Sequence, residues 1–140
     1  DRFDGVPRQG VGRPLKVGKE ELVGLLAALD AFLEEDHDAI AAEWRERAET
    51  VAADLDAFGG LSTTIEDGAK SVAPTVAVTV DPDGAGISAA DLVLALRRED
   101  PRVFVGADGV DDGTFAVSPM CLTDDEADYV VERVRANLDG

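Results

Sequence analysis

Apolar residues recur every three or four positions over residues 19–33 and again over residues 40–55. The first series is Leu22, Leu25, Leu26, Leu29, Phe32 and Leu33, and the second is Ile40, Trp44, Ala48, Val51 and Leu55. This spacing places each series on one face of an α-helix. It predicts two consecutive helices, or one long bent helix, with Asp38 capping the second part and Gly59-Gly60 ending it. Because the first stripe is almost wholly apolar, we expect it to pack against a substantial partner.

Further along the chain the apolar period shortens to two, which is typical of strands. The segments with this pattern are 61–66, 74–81, 103–105 and 114–117. Two helices are predicted between and after them, over 88–99 and from 123 to the end. Ser88 with Asp91, and Thr123 with Glu126, have the three-residue spacing of a capping box. The element order is ααββαββα, which favours an α+β fold with an antiparallel sheet of about four strands backed by helices.

These patterns divide the chain into three parts. Residues 1–18 hold four Gly and two Pro and form a predicted extended loop. Residues 19–58 form connecting helices, and residues 59–140 form a small α+β domain. The chain begins in a loop-like segment without a methionine, so we expect it to be a domain excised from a longer protein.

Composition restricts the chemistry. One Cys and one His rule out a disulfide framework and disfavour a zinc site of the usual ligands. Cys121 is expected to be a small core residue. The Asp-rich segments 81–84 and 108–113 lack the full spacing of a calcium loop and are predicted to be turns. No apolar run reaches the roughly 20 residues of a membrane span, so we expect no membrane partner and a cytoplasmic location.

The chain is strongly acidic, with a formal net charge of −17 from 30 carboxylates and 13 basic residues. A nucleic-acid binder needs a broad basic surface, so nucleic acid is not expected as a partner. Repulsion between clustered carboxylates is screened to within about 3 Å at 1 M salt. The composition is therefore typical of a halophilic protein, although a merely acidic, soluble protein would have it too.

Against this background, five of the 13 basic residues lie in the first 19 positions. Arg13, Lys16 and Lys19 directly precede or begin the first helix. One interpretation is an anion site, because a helix N-terminus has free N–H groups and a favourable dipole. A second is simple pairing with the chain's own carboxylates. The segment lacks the Walker pattern of a phosphate loop.

The segment GRPLKVGKEELVGLLAAL, residues 12–29, resembles selenocysteine synthase (L-seryl-tRNA selenium transferase)-like and sugar-acid ammonia-lyase-like enzymes of pyridoxal phosphate fold type I. The run DPRVFV at 100–105 and SPMCL at 118–122 look like the end of the same family's small domain. The resemblance implies the C-terminal domain of such an enzyme, preceded by a long connecting helix. It also implies pyridoxal phosphate as cofactor, bound mainly by a large domain of the same polypeptide, and a homo-oligomer.

The resemblance further implies a lyase or transferase acting by elimination or replacement at Cβ of an amino acid or amino sugar acid. Arg13, Lys16 and Lys19 match family positions that hold the anionic part of a small-molecule substrate. The family commonly has arginines where this chain has Gly106 and Met120. The lysine that binds the cofactor belongs to the large domain, so we expect no catalytic residue here and no activity from this fragment alone. Lys16 and Lys19 as cofactor-binding lysines are the less favoured assignment, since nothing in the sequence desolvates them.

A protein of a different functional class would also fit these residues, namely a non-catalytic α+β module for binding or assembly. Such a module would bury an apolar helix face against a partner and show the same stripes. The two hypotheses differ over helix 19–33, which the enzyme hypothesis predicts to be an exposed apolar patch in the isolated chain.

Overall fold

The chain divides into two units, residues 1–36 and residues 37–140. The computed structural model describes residues 16–67 and 73–138 of the two units. Among the described residues, the first unit holds one helix and the second holds a sheet with its helices. The predicted extended loop at 1–18 lies mostly outside the described residues, and 16–18 have neither helical nor strand structure.

Helix α1, Lys19–Glu34, begins after Gly18, which has extended backbone angles. The predicted apolar stripe is present, but no residue of the helix is buried. The exposed fractions of its apolar side chains run from 47% to 71%; these residues are Leu22, Val23, Leu25, Leu26, Leu29, Phe32 and Leu33. The helix prediction is thus confirmed, and its apolar face is exposed as the enzyme hypothesis expects.

The second unit has an α+β fold, as predicted. Its elements are α2 (His37–Asp56), β1 (Leu61–Glu66), β2 (Thr75–Val80), α3 (Pro82–Ala85), α4 (Ala89–Leu96), β3 (Thr114–Val117) and α5 (Asp124–Leu138). Two short 3-10 turns, Val110–Asp112 and Pro119–Cys121, flank β3. Helix α2 supplies four buried residues to this unit, so it belongs structurally with the sheet rather than with α1.

The described strands form an antiparallel sheet in the order β1-β2-β3. Thr64 pairs with Ala77, and Ala77 pairs in turn with Ala116. The predicted fourth strand at 103–105 is not formed. This segment reaches the sheet only at Gly106, which exchanges two backbone hydrogen bonds of 2.8 and 2.9 Å with Ala116.

One face of the sheet carries the core. Alternate strand residues such as Val76, Val78 and Phe115 are at most 2% exposed, whereas their neighbours along each strand are not buried. Helix α2 packs on β1 and β2, helix α4 packs on β3, and both helices contact α5. Leu55 and Leu92 are fully buried between these layers. The alternation in the sequence therefore reports correctly which strand face meets the helices.

Both predicted helix caps are present. The Ser88 hydroxyl accepts a hydrogen bond from the Asp91 amide at 3.1 Å and contacts its carboxylate at 2.7 Å. The Glu126 carboxylate accepts from the Thr123 amide at 2.8 Å, and the Glu126 amide donates to the Thr123 hydroxyl at 3.3 Å. These contacts satisfy N–H groups that a helix start leaves free.

Three local predictions differ from the structure. Helix α2 already begins at His37, so Asp38 lies in its first turn instead of capping it. The predicted turn at 81–84 includes the start of α3, whose first turn is capped by the Asp81 side chain. Cys121 is exposed rather than in the core, because it ends a 3-10 turn at the surface.

Candidate functional site

The basic segment is only partly described by the structure. Lys16 and Lys19 are exposed and lie on either side of the N-cap residue Gly18. Within the described residues neither lysine forms an ion pair. Arg13 lies outside the described residues. The choice between an anion site and pairing with the chain's own carboxylates therefore stays a prediction.

Two carboxylates lie at the start of the same helix. A Cβ placed on Gly18 would be 2.3 Å from Oε2 of Glu21 and 3.0 Å from Oε2 of Glu20. Both side chains thus fold back over the residue that begins the helix, where the dipole favours negative charge. An anion at this position would compete with these carboxylates and would need the lysines as well as the helix N-terminus.

A polar groove of about 570 Å³ lies between α2 and α5. Its lining includes five carboxylates, Glu43, Glu46, Asp54, Asp124 and Asp128, and one cation, Arg47. Arg47 Nε donates to Asp124 Oδ1 at 2.8 Å and ties the two helices together. Among the residues that the structure describes, no group of three or more acidic, His or Cys side chains is arranged to hold a metal ion.

A smaller cavity of about 220 Å³ lies between segment 101–105 and helix α5. It is lined mainly by apolar side chains, among them Val103, Val117 and Val130. The Tyr129 hydroxyl donates to the Pro101 carbonyl oxygen at 3.0 Å and holds the segment to the helix. Phe104 lines the same cavity and is 72% exposed.

The two positions where the family commonly has arginine lie near β3. Gly106 bridges to Ala116, and a Cβ on Gly106 would be 3.2 Å from the Ala116 Cβ. Met120 lies in the 3-10 turn that follows β3 and is 39% exposed. Neither position offers a cation in this chain, so any anion contact near β3 would come from elsewhere.

The described lysines, Lys16 and Lys19, are both exposed. Apolar neighbours that desolvate a lysine activate it for covalent chemistry. Lys16 and Lys19 are exposed and lack that environment. Within the described residues there is also no helix with the length and apolar character needed to cross a membrane.

Two known proteins are similar to this chain in sequence. The chain is 38% identical over 130 residues to 5'-C-glycyluridine monooxygenase-decarboxylase of Streptomyces sp, covering 92% of this chain and 33% of that protein. It is 29% identical over 128 residues to D-glucosaminate-6-phosphate ammonia lyase of Salmonella typhimurium (strain 14028s / SGSC 2262), covering 91% of this chain and 34% of that protein. No family model matches the chain.

A comparison of structures also finds the ammonia-lyase. The solved structure of D-glucosaminate-6-phosphate ammonia-lyase aligns with a TM-score of 0.70 and 27% identity over 94% of this chain and 35% of that one. The chain thus spans about a third of the length of the curated relatives it matches. The resemblance inferred from the sequence is confirmed, since this chain is similar in both sequence and fold to part of a sugar-acid ammonia-lyase.

Proposed function

We propose that this chain is the C-terminal domain of a pyridoxal-phosphate-dependent lyase or transferase. The enzyme would act by elimination or replacement at Cβ of an amino acid or amino sugar acid, with an ammonia-lyase reaction preferred. The observation that carries the proposal is that an ammonia-lyase resembles nearly the whole chain both in sequence and in structure. The fold alone would not suffice, because one fold hosts many functions.

The exposed face of α1 supports a role within a larger protein. Its seven large apolar side chains are between 47% and 71% exposed, an arrangement typical of an interaction surface. A free-standing binding or assembly module is the alternative, and it would cover this stripe with a separate partner. In the proposed enzyme the stripe packs against the large domain of the same polypeptide.

In this function the basic segment binds the anionic group of the substrate. Lys16 and Lys19 contribute mobile positive charges beside the start of α1, and Arg13 contributes a planar guanidinium that can donate two parallel hydrogen bonds. Bound pyridoxal phosphate would supply the electron sink for the elimination. The chain's own cations would orient the substrate, and Glu20 and Glu21 would weaken the binding of anions that contact the helix N-terminus alone.

The test uses the longer reading frame that includes this chain, expressed in high salt with pyridoxal phosphate. We expect a visible absorption band that borohydride abolishes, with the reduced cofactor mapped to a lysine upstream of residue 1. We also expect ammonia release from D-glucosaminate 6-phosphate or a related amino sugar acid. A protein without the band, or with the cofactor on Lys16 or Lys19, would contradict the proposal.

The anion site has its own test in the same protein. Replacing Arg13 and Lys16 together with alanine should abolish phosphate binding measured by calorimetry and raise KM for a phosphorylated substrate. Arg98→Ala removes one exposed cation that has no ion pair among the described residues; it should leave both quantities unchanged. Equal phosphate binding by the double variant and the unaltered protein would refute the assignment of these residues.

A further inference from the structure

The cavity of about 220 Å³ between segment 101–105 and α5, which we call the α5 cavity, has walls that belong to the core. Three of the valines that line it, Val103, Val117 and Val130, are at most 7% exposed and pack within the core of the second unit. A site whose walls are fixed by packing keeps its shape before a ligand arrives, which lowers the entropic cost of binding. The α5 cavity is thus preformed.

One face of α5 holds the segment that forms the other side of the α5 cavity. Tyr129, Arg133 and Asn137 follow one another at intervals of four and so share a face of the helix. The Tyr129 hydroxyl donates to the Pro101 carbonyl oxygen at 3.0 Å, and the Asn137 side-chain amide donates to Glu99 Oε1 at 2.8 Å. The other oxygen of the Glu99 carboxylate lies 3.9 Å from Arg133. This neighbouring carboxylate is therefore engaged by α5.

Four polar side chains line the α5 cavity, and two of them already have partners. Tyr129 donates to segment 101–105, and the Glu126 carboxylate accepts from the amide and the hydroxyl of Thr123. The other two are Arg102 and Ser118, which are exposed. Among the described residues, neither side chain forms an ion pair or a hydrogen bond. A guanidinium and a hydroxyl can both donate to one anionic group of a ligand.

Phe104 adds an aromatic ring to the α5 cavity. Its side chain is 72% exposed, whereas its neighbour Val103 is buried. Most of the surface of the ring is therefore free to contact a ligand. Aromatic rings prefer offset stacked or edge-to-face contacts with other aromatic rings, and these contacts stabilise a complex beyond the area that they bury. The ring thus favours a planar aromatic ligand over a saturated one of the same size.

Charge and size restrict the ligand further. The net charge of −17 repels anions from most of the chain, so an uncommitted arginine beside an apolar cavity is a feature that can select one. The Glu126 carboxylate also lines the α5 cavity, and it would repel a second negative charge. Sites for larger organic ligands have volumes of roughly 300–1,000 Å³. At about 220 Å³ the α5 cavity suits a single ring.

We infer that the α5 cavity binds a small monoanion with one planar aromatic ring, of which an aromatic carboxylate is the simplest form. The ring lies against Phe104 and the valine walls, and the carboxylate accepts hydrogen bonds from Arg102 and Ser118. This inference uses residues of the second unit alone. It therefore does not depend on the proposed function.

The test is a fluorine nuclear magnetic resonance titration of the longer protein that contains this chain, with 4-fluorobenzoate as the probe. We expect a saturable shift with a dissociation constant of about 1 mM, an ordinary value for a ligand of about ten heavy atoms. Arg102→Gln removes the charged donor and should weaken binding about tenfold or more. Phe104→Leu keeps an apolar side chain without the ring and should weaken it about threefold or more. Both residues are exposed, so both variants should fold.

Two controls make the result specific. Arg98→Gln removes an exposed cation that does not line the α5 cavity, and it should leave the dissociation constant unchanged. Cyclohexanecarboxylate has the charge of benzoate on a saturated ring and should displace the probe less well than benzoate does.

Three results would each overturn the inference. These are the lack of a saturable shift at probe concentrations about twentyfold above the expected constant, equal weakening by Arg98→Gln and Arg102→Gln, and equal displacement by the two unlabelled carboxylates. Because the titration requires neither cofactor nor turnover, its outcome is separate from that of the enzyme proposal.

Discussion

Asp56, at the end of α2, accepts a hydrogen bond of 2.6 Å from the backbone amide of Thr63 in β1. The amide belongs to the edge strand of the described sheet, where backbone donors are otherwise exposed to water or to another chain. The Thr63 hydroxyl also donates to the Ala52 carbonyl oxygen at 3.3 Å. The C-terminal end of α2 thus supplies acceptors for the amide and the hydroxyl of one residue in the edge strand on which α2 packs.

Asp56→Ala should therefore lower the free energy of unfolding by about 0.5–1.5 kcal/mol, the usual contribution of one hydrogen bond. Asp56→Asn keeps an acceptor oxygen and should lower the free energy of unfolding by less. Asp54→Ala removes the same charge from the same helix, without a hydrogen bond to the strand among the described contacts, and serves as the control in urea unfolding. Equal losses for Asp56→Ala and Asp54→Ala would show that the contact does not stabilise the fold.

Gly60 should not tolerate a side chain. It has φ of +78°, and an added Cβ would lie 2.1 Å from the Ala85 backbone nitrogen. Gly60→Ala combines left-handed strain with a backbone clash, so we expect a loss of about 3 kcal/mol or more. Gly86 has φ of +70° with nothing within 4 Å of an added Cβ. Gly86→Ala should therefore cost only about 1–2 kcal/mol. Similar melting temperatures for the two variants would contradict the close approach of Gly60 to α3.

Stability should depend on pH through Glu126. Its pKa is lowered from the ordinary value of 4.5, first by the hydrogen bond from the Thr123 backbone amide and then by the Thr123 hydroxyl. Because the folded pKa is below the unfolded one, the contribution is fully present above the unfolded pKa and is lost as pH falls through the folded pKa. The difference in unfolding free energy between the unaltered protein and Glu126→Gln should thus be constant near neutral pH and shrink in acid.

The control for this titration is Asp125→Asn, which removes one charge from the same first turn of α5. It measures how much of the Glu126→Gln effect comes from net charge alone. Urea is the suitable denaturant because it leaves the ionic strength unchanged. A Glu126→Gln difference that stays constant down to pH 2 would rule out the contribution of the Thr123 contacts.

Salt should stabilise the fold. With a net charge of −17, repulsion between carboxylates is long-ranged in dilute buffer and screened within about 3 Å at 1 M salt. We expect the helical circular dichroism signal to fall when salt is removed by dialysis and to recover when sodium chloride is restored. A spectrum that is unchanged in dilute buffer would refute the hypothesis of a halophilic protein.

Local patterns in the sequence determined the helices and most of the strands. The stripe over 19–33, the alternation over 75–80 and the box formed by Thr123 and Glu126 each depend on neighbours a few residues apart, so they can be inferred without the fold. The α+β class followed from their order. The roles of Arg13, Lys16 and Lys19 came from a family resemblance and stay a prediction.

Tertiary structure decided what depends on contacts between distant residues. The segment 103–105 has strand-like residues but lacks a paired neighbour along its length, and strand formation requires that partner. Gly60 marked a helix end in the sequence, yet its importance comes from the approach of Ala85. The α5 cavity became visible only in the folded chain, because segment 101–105, the end of β3 and α5 are separate in the sequence and only packing brings them together.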